Sequence, residues 1–354
     1  MTARRKVVTL EVPEAWFSNP EDGDRHRLFY SSVLAALAEL GVLIDPVWLP
    51  RGAERAPRPG RGENFTISFH SYGDASGNVL RCKEAYIPPY YSFDPMGYAC
   101  FSQLAASPDL YRQAIERQDP EQASRFVRQL SGDLIHGNRS KYAQPDPGEE
   151  LHGPYVFVPL QVQNDSVAAG NWIDTEEAVT AIAEAAAARG LKTVVKRHPR
   201  CKSASVARFL DRLGQRDDVL FSSGSIHTLI VGADLVAGAN SGVLFEALIH
   251  GKPVVSYAAS DFGAATQQVR DRDALMRAIA APAVPDLEWR DRFLFWYLTE
   301  YCVRADDVPA IRRMLSEAIH AAPEAISAAE WRRPAYIRRL YLYSLLDRIK
   351  RRLF

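Results

Sequence analysis

Long apolar runs are missing from this chain. None approaches the roughly 18 residues that suggest a membrane span, so no crossing helix is expected. The N-terminus, MTARRKVVTLEVPEAW, has basic residues but neither the apolar core nor the small-residue cleavage site of a secretory signal, and a cytoplasmic protein is expected. Surplus charge is missing too: 43 Lys and Arg balance 43 Asp and Glu, which removes any bulk electrostatic argument for nucleic acid as a partner. Cysteine is scarce. Cys82, Cys100, Cys201 and Cys302 are scattered and form no CxxC, so they read as reduced thiols and argue against a zinc site. The GxxxxGK(S/T), GxSxG and HExxH motifs are absent, as are internal repeats and low-complexity tracts.

What is present is an alternation of strand and helix signals. In the first half these are VVTLEV, a helical pattern over Arg27–Leu40 closed by Gly41, the apolar run LIDPVWL, a polar Pro/Gly/Arg loop over 50–64, and the strand FTISFHS. Residues 106–137 read as mainly helical, and QPDPGEE at 144–150 reads as a linker. Beyond it come the strands YVFVPLQV, LKTVVK, VLFSS, LVAGA and PVVSY. Helices over Glu176–Arg189, Ala204–Leu213, Ile226–Val231 and Gly242–His250 separate them. Such spacing implies a parallel sheet with right-handed crossovers. The fold class is therefore α/β, with two Rossmann-like domains facing a cleft and C-terminal helices. The expected divisions are 1–147, 148–300 and 301–354, the last packing back on the body with a basic end.

That end, WRRPAYIRRLYLYSLLDRIKRRLF, carries eight Lys and Arg against one Asp. Leu342, Leu345, Leu346, Ile349 and Leu353 follow helical spacing as one stripe. One reading is a helix packed on the body with a solvated basic face. The other is peripheral attachment to an anionic membrane surface at the inner face of the cytoplasmic membrane.

Ligands of doubly wound sheets bind beyond the C-terminal ends of the strands. Three stretches fall there: PLQVQND (Pro159–Asp165), KRHPR (Lys196–Arg200) and GANSG (Gly238–Gly242). Asp165 reads either as a helix cap or as a nucleophile or base, with Gln161 and Gln163 to orient it or to bind sugar hydroxyls. Lys196, Arg197, His198 and Arg200 concentrate cations and donors that can neutralise a phosphate, and Pro199 ends the strand. Asn240 or Ser241 can cap the next helix, whose free N–H groups from Gly242 onward suit a phosphate. Glu246 reads either as an acceptor for ribose hydroxyls or as a solvated helix glutamate. His227 and His250 read as helix residues without chemistry.

In the first half, CKEAYIPPYYSFDPMGYACFSQLA packs six aromatics with Lys83, Glu84, Asp94 and Gly97. Aromatics interspersed with polar groups suit sugar stacking, and Lys83, Tyr90, Tyr91, Asp94 and Tyr98 are the acceptor-side candidates. The alternative is a core loop wrapped over the domain. Asp22-Gly-Asp24 and the DRD at 271–273 are explained by acidic capping of the helices that follow.

Taken in order, Q-x-x-x-D from Gln161 to Asp165, the strand ending in His198-Pro199, NSGVLFEALIHGKPVV from Asn240 to Val255, and KEAYIPPYYSFDPMGY resemble the retaining β-Kdo transferases of bacterial capsule and O-antigen assembly. The likeness spans roughly residues 65–257. It implies a GT-B fold, CMP-β-Kdo as donor substrate, a glycan or lipid-linked polysaccharide acceptor, and no cofactor or metal. It further implies double displacement with Asp165 carrying a transient Kdo adduct, His198 contacting the CMP phosphate, and Glu84 as acid/base. Where that family has glycine–tyrosine–serine–glycine, this chain has Gly97–Cys100 reading GYAC, so acceptor contacts there are not carried over. Two other readings stand beside it: another GT-B nucleotide-sugar enzyme, sialyltransferase-like or an epimerase, and a non-catalytic glycan-binding or assembly protein.

Overall fold

A computed structural model describes residues 6–19, 23–53, 64–75, 78–146, 151, 153–163, 165–322 and 334–353. Most of the 50–64 loop, the end of the 144–150 linker, Asp22 and the side chain of Leu353 lie outside the described residues. In chain order the strands are β1 (Val7–Pro13), β2 (Leu43–Leu49), β3 (Phe65–Phe69), β4 (Val79–Glu84), β5 (Tyr90–Asp94), β6 (Tyr155–Pro159), β7 (Lys192–Lys196), β8 (Val219–Phe221), β9 (Leu235–Gly238), β10 (Val254–Ser256), β11 (Gln267–Gln268) and β12 (Cys302–Arg304). The helices are α1 (Glu14–Ser18), α2 (Gly23–Glu39), α3 (Gln103–Ala106), α4 (Asp109–Glu116), α5 (Pro120–Gly137), α6 (Thr175–Ala187), α7 (Ala204–Leu213), α8 (Ile226–Gly232), α9 (Gly242–Ile249), α10 (Arg272–Ala280), α11 (Leu287–Trp296), α12 (Val308–Ala321) and α13 (Pro334–Leu353).

The chain forms two compact units, each built on a six-stranded sheet. The first comprises 1–85, 89–103 and 298–354; the second comprises 86–88 and 104–297. This differs from the expected division at 147. Helices α4 and α5 pack with α11 in the second unit, and the C-terminal residues complete the first. Sequence patterning shows that an element exists; which neighbour it buries against is a tertiary outcome.

The second sheet runs β11-β10-β9-β6-β7-β8, parallel throughout. Its strands are short β-branched runs buried on both faces, as helices on each side require. Asp174 accepts from the N–H groups of Glu176 and Glu177 and starts α6, whose alanines lie flat on the sheet. Asp271 caps α10 at 2.8 Å, so the DRD stretch caps a helix as its acidic pattern suggests. Strand order reverses between β6 and β9. Crossovers leave in opposite directions there, opening a crevice at the C-terminal edge.

The first sheet runs β12-β5-β4-β3-β1-β2. Strands β2, β1, β3 and β4 are parallel, while β5 is antiparallel to both of its neighbours. The aromatic stretch is therefore mostly a β4–β5 hairpin. Tyr91 is fully buried, its ring stacked on Phe29 at 3.9 Å and its hydroxyl 2.8 Å from His26 Nδ1. Asp94 is fully buried as well. It accepts from the N–H groups of Met96 and Gly97 at 2.7 Å and Gln103 at 3.0 Å, and from the Tyr301 hydroxyl at 2.8 Å. Burial pushes its pKa up while these donors oppose the rise. Both residues were expected on the acceptor side; instead one packs the core and the other closes the 94–103 loop.

Replacing Asp94 by Ala strands those donors, so Asp94→Ala is expected to cost about 3 kcal/mol or more, measured by urea denaturation. Asp94→Asn keeps one acceptor oxygen and should cost less. A loss within about 0.5 kcal/mol for the alanine variant contradicts this role.

Candidate active site

Three loops gather at the C-terminal edge of the second sheet: the one after β6 carrying Asp165, the one after β7 carrying His198, and the one after β9 leading into α9. Side chains stitch them together. Asn240, buried, donates to the carbonyls of Val167 (2.9 Å) and Ala259 (3.0 Å). Gln163 accepts from the hydroxyls of Ser203 and Ser205, both at 2.6 Å. Asn240 is thus a bracket between loops, and Ser241 does the capping, accepting from Val243 N–H at 3.4 Å. Gly242 opens α9 and is half-buried.

Asp165 is exposed and precedes the short 3-10 turn Ser166–Gly170, but its carboxylate accepts no capping bond from that turn. The Ser166 hydroxyl lies 3.3 Å from its Oδ1. Gln161 reaches Asn171 Oδ1 at 3.4 Å through its amide N, while its buried Oε1 has no hydrogen bond within the protein.

The KRHPR cations divide in two. Lys196 Nζ donates to the carbonyls of Ser223 (2.9 Å) and Gly224 (2.5 Å), and burial lowers its pKa. Arg197 donates to Ser203 O at 3.0 Å. Both brace the strand end through backbone carbonyls. Pro199 and Arg200 are exposed. The Arg200 N–H donates to His198 Nδ1 at 3.1 Å, so Nδ1 is the unprotonated nitrogen and Nε2 carries the proton. Burial, then the Arg200 charge, lowers the His198 pKa, and the Asp165 carboxylate opposes that shift. His198 therefore feels the Asp165 charge and is a neutral Nε2–H donor near pH 7.

Sequence reasoning missed the segment after α5. Tyr142 stands edge-on to His198 at 5.2 Å, and the Arg200 guanidinium lies 4.7 Å from the Tyr142 ring centre. Gln144 accepts from the Ile226 N–H at the start of α8. A tyrosine in a polar stretch next to a supposed linker was the only available signal.

Beneath this segment lies a buried polar cluster. His227 Nε2 faces the Arg139 carbonyl at 2.9 Å, and a carbonyl only accepts, so that nitrogen is protonated. His227 Nδ1 must then accept from His250 Nε2–H (2.9 Å), and His250 Nδ1 from the Ser131 hydroxyl (2.8 Å). Burial first, with neighbouring charge, pushes His250 down to about 3; burial lowers His227. These histidines form a neutral relay, so they are more than inert helix residues. Glu246 is buried, which excludes the solvated-glutamate reading. Its Oε1 accepts from the Ser140 hydroxyl at 2.8 Å, Oε2 makes no hydrogen bond, and burial pushes its pKa up to about 8. Its 3.8 Å approach to His227 joins two neutral groups and is not an ion pair.

In the first unit, Glu84 ends β4, buried, with Arg25 at 2.9 Å. Lys83 is half-buried, its ammonium 5.9 Å from the Tyr98 ring centre. Tyr98 is itself buried, edge-on to His70 at 5.1 Å. Tyr90 is buried on β5, where burial raises its pKa and Arg304 of β12 opposes the shift. Among the described residues no three His, Cys, Asp or Glu side chains are grouped to hold a metal ion, and no helix is long and apolar enough to cross a membrane.

Two measurements test the electrostatics. Folding keeps a proton on Glu246 that the unfolded chain releases near pH 4.5, so this group's stability contribution falls as pH rises from about 4.5 to 8. Glu246→Gln has no proton to lose. Its stability relative to wild type should climb across that window, by at most roughly 1.4 kcal/mol per pH unit. A pH-independent difference contradicts the assignment. Removing the Tyr142 ring uncovers His198, so in Tyr142→Ala the His198 pKa, followed by NMR, should rise; an unchanged titration contradicts the packing argument.

Residues 115–273 match the family model described as capsule polysaccharide biosynthesis protein. The KpsC beta Kdo 2,4 transferase of Thermosulfurimonas dismutans is similar in structure, with a TM-score of 0.52 at 14% identity over 87% of this chain and 98% of that one. The beta Kdo 2,7 transferase of the same organism's KpsC has a TM-score of 0.46 at 15% identity, over 88% of this chain and all of that one. No curated protein matches. At such identities the structural likeness shows the fold: two Rossmann-like α/β units of the kind from which GT-B glycosyltransferases are built.

Proposed function

We propose that the chain is a glycosyltransferase of bacterial capsule-type surface polysaccharide assembly that transfers Kdo from CMP-β-Kdo to a glycan acceptor with retention of configuration. One observation carries the reading: Asp165, the His198 Nε2–H donor and the N-terminus of α9 share the edge of one sheet at its strand-order reversal. The capsule family match covers all three, and the Kdo transferase likeness runs along most of both chains.

In this mechanism an Asp165 oxygen attacks the anomeric carbon as the bond from that carbon to the CMP phosphate oxygen breaks. CMP departs with the electron pair. The acceptor hydroxyl then displaces Asp165 from the same carbon, its proton passing to a base, and two inversions give retention. Glu84 takes the base role by resemblance, with Arg25 fixing its orientation. His198 Nε2–H, the Arg200 guanidinium and the free N–H groups of α9 meet the charge growing on the departing phosphate. Glu246 is assigned to the donor's ribose hydroxyls; its Oε2 makes no hydrogen bond within the protein.

Intact-protein mass spectrometry with freshly generated CMP-β-Kdo, without acceptor, tests this. A mass increase of one Kdo residue is expected in wild type and none in Asp165→Asn, whose transfer rate should fall about a thousandfold or more. His198→Ala should lower kcat about a hundredfold. Absence of both adduct and CMP release in wild type overturns the reading, as does an adduct that persists in Asp165→Asn.

A further inference from the structure

We propose that α13 docks the protein on an anionic phospholipid surface through a face turned away from the body. The sequence leaves open whether its leucine stripe packs inward or outward. In the structure, Leu340 (4% exposed) packs with Val47, Leu49 and Ala53, and Ser344 (1% exposed) donates to the Arg51 carbonyl. Asp347 follows on that same face, paired with Arg351 at 3.0 Å. The stripe lies opposite: Leu342, Leu345, Leu346 and Ile349 are 44–56% exposed. At 3.6 residues per turn these four span an arc about 100° wide, the width of an apolar face that seeks a partner. This overturns the reading in which the stripe is the docked face.

Charge identifies the partner. Arg348 and Arg352 border the stripe on one side, Arg339 and Lys350 on the other, and Arg338 stands at its N-terminal end, all exposed. The helix's one carboxylate, Asp347, is turned to the body with Arg351. An apolar band edged on both flanks by long cationic side chains fits a bilayer interface. There the leucines enter the acyl boundary while the cations reach up to lipid phosphates. A protein groove offers the apolar contact but has no need of cations along both flanks. The inference is independent of the donor sugar.

Flotation of the full chain with vesicles tests it. Binding is expected to equal parts of phosphatidylglycerol and phosphatidylcholine, to weaken with salt, and to be absent with phosphatidylcholine alone. Leu345→Asp with Leu346→Asp should abolish binding. Arg339→Gln with Lys350→Gln should weaken it about 25-fold at low salt, roughly fivefold per cation. These positions face solvent, so the melting temperature should stay unchanged, which separates lost docking from lost fold. Equal binding to both vesicle types overturns the proposal. So does a failure to bind accompanied by self-association that Leu345→Asp abolishes, which assigns the stripe to a protein partner.

Discussion

Asn240 holds the sheet edge together. Where strand order reverses, the loops after β6 and β10 meet in a short antiparallel bridge, Trp172 N–H to the Tyr257 carbonyl at 3.0 Å and Ala259 N–H to the Gly170 carbonyl at 2.9 Å, and Asn240 ties the same two loops a second time. One amide supplies two donors, to Val167 and Ala259. Gln163 does the complementary work with its oxygen, taking two serine hydroxyls at the start of α7. These brackets hold the Asp165 loop against both neighbouring loops, and preorganisation of that sort is what a charge-stabilising site requires. The geometry of His198 follows from the same economy: the Arg200 N–H takes up Nδ1, which fixes the tautomer and leaves Nε2–H as donor.

The division of labour among the cations has a physical logic. A half-buried ammonium gains from carbonyls, and Lys196 finds two in the turn after β8. His198 and Arg200 lie on the other side of the division, with Tyr142 packed against both. A neutral imidazole approached by phosphate gains proton affinity, so a lowered pKa in the free protein sets up a donor that strengthens as negative charge develops.

Legibility in the sequence followed the range of the forces involved. Strands β6, β7 and β9 were readable because parallel strands buried on both faces are continuous apolar runs, and the bounds read for α7, Ala204–Leu213, are those of the helix observed. The β4–β5 hairpin was hidden by Arg81, Lys83, Glu84 and Asp94. Such charges look like a loop until Tyr301, over 200 residues away, and Arg25 are seen to receive two of them. Strand β12 is three residues long and exists because β5 offers it an edge. In the candidate site, the motif residues were legible because their chemistry is local. That Asn240, Lys196 and Arg197 are braces was not, since a side chain's partner is a tertiary fact. Ser140, Tyr142 and Gln144 gave too little local signal to be singled out.

Helix α13 shows the limit most clearly. Periodicity establishes that a helix has an apolar face but says nothing about what that face meets. Among the described residues, Leu340 and Ser344 are the buried side chains of this helix. The outward leucines gain nothing from the body. Any surface that covers them also stabilises the helix that presents them, so docking and helix formation reinforce each other. A stripe retained outward, bordered by cations, is costly for a protein that stays in water and useful for one that works at a charged interface.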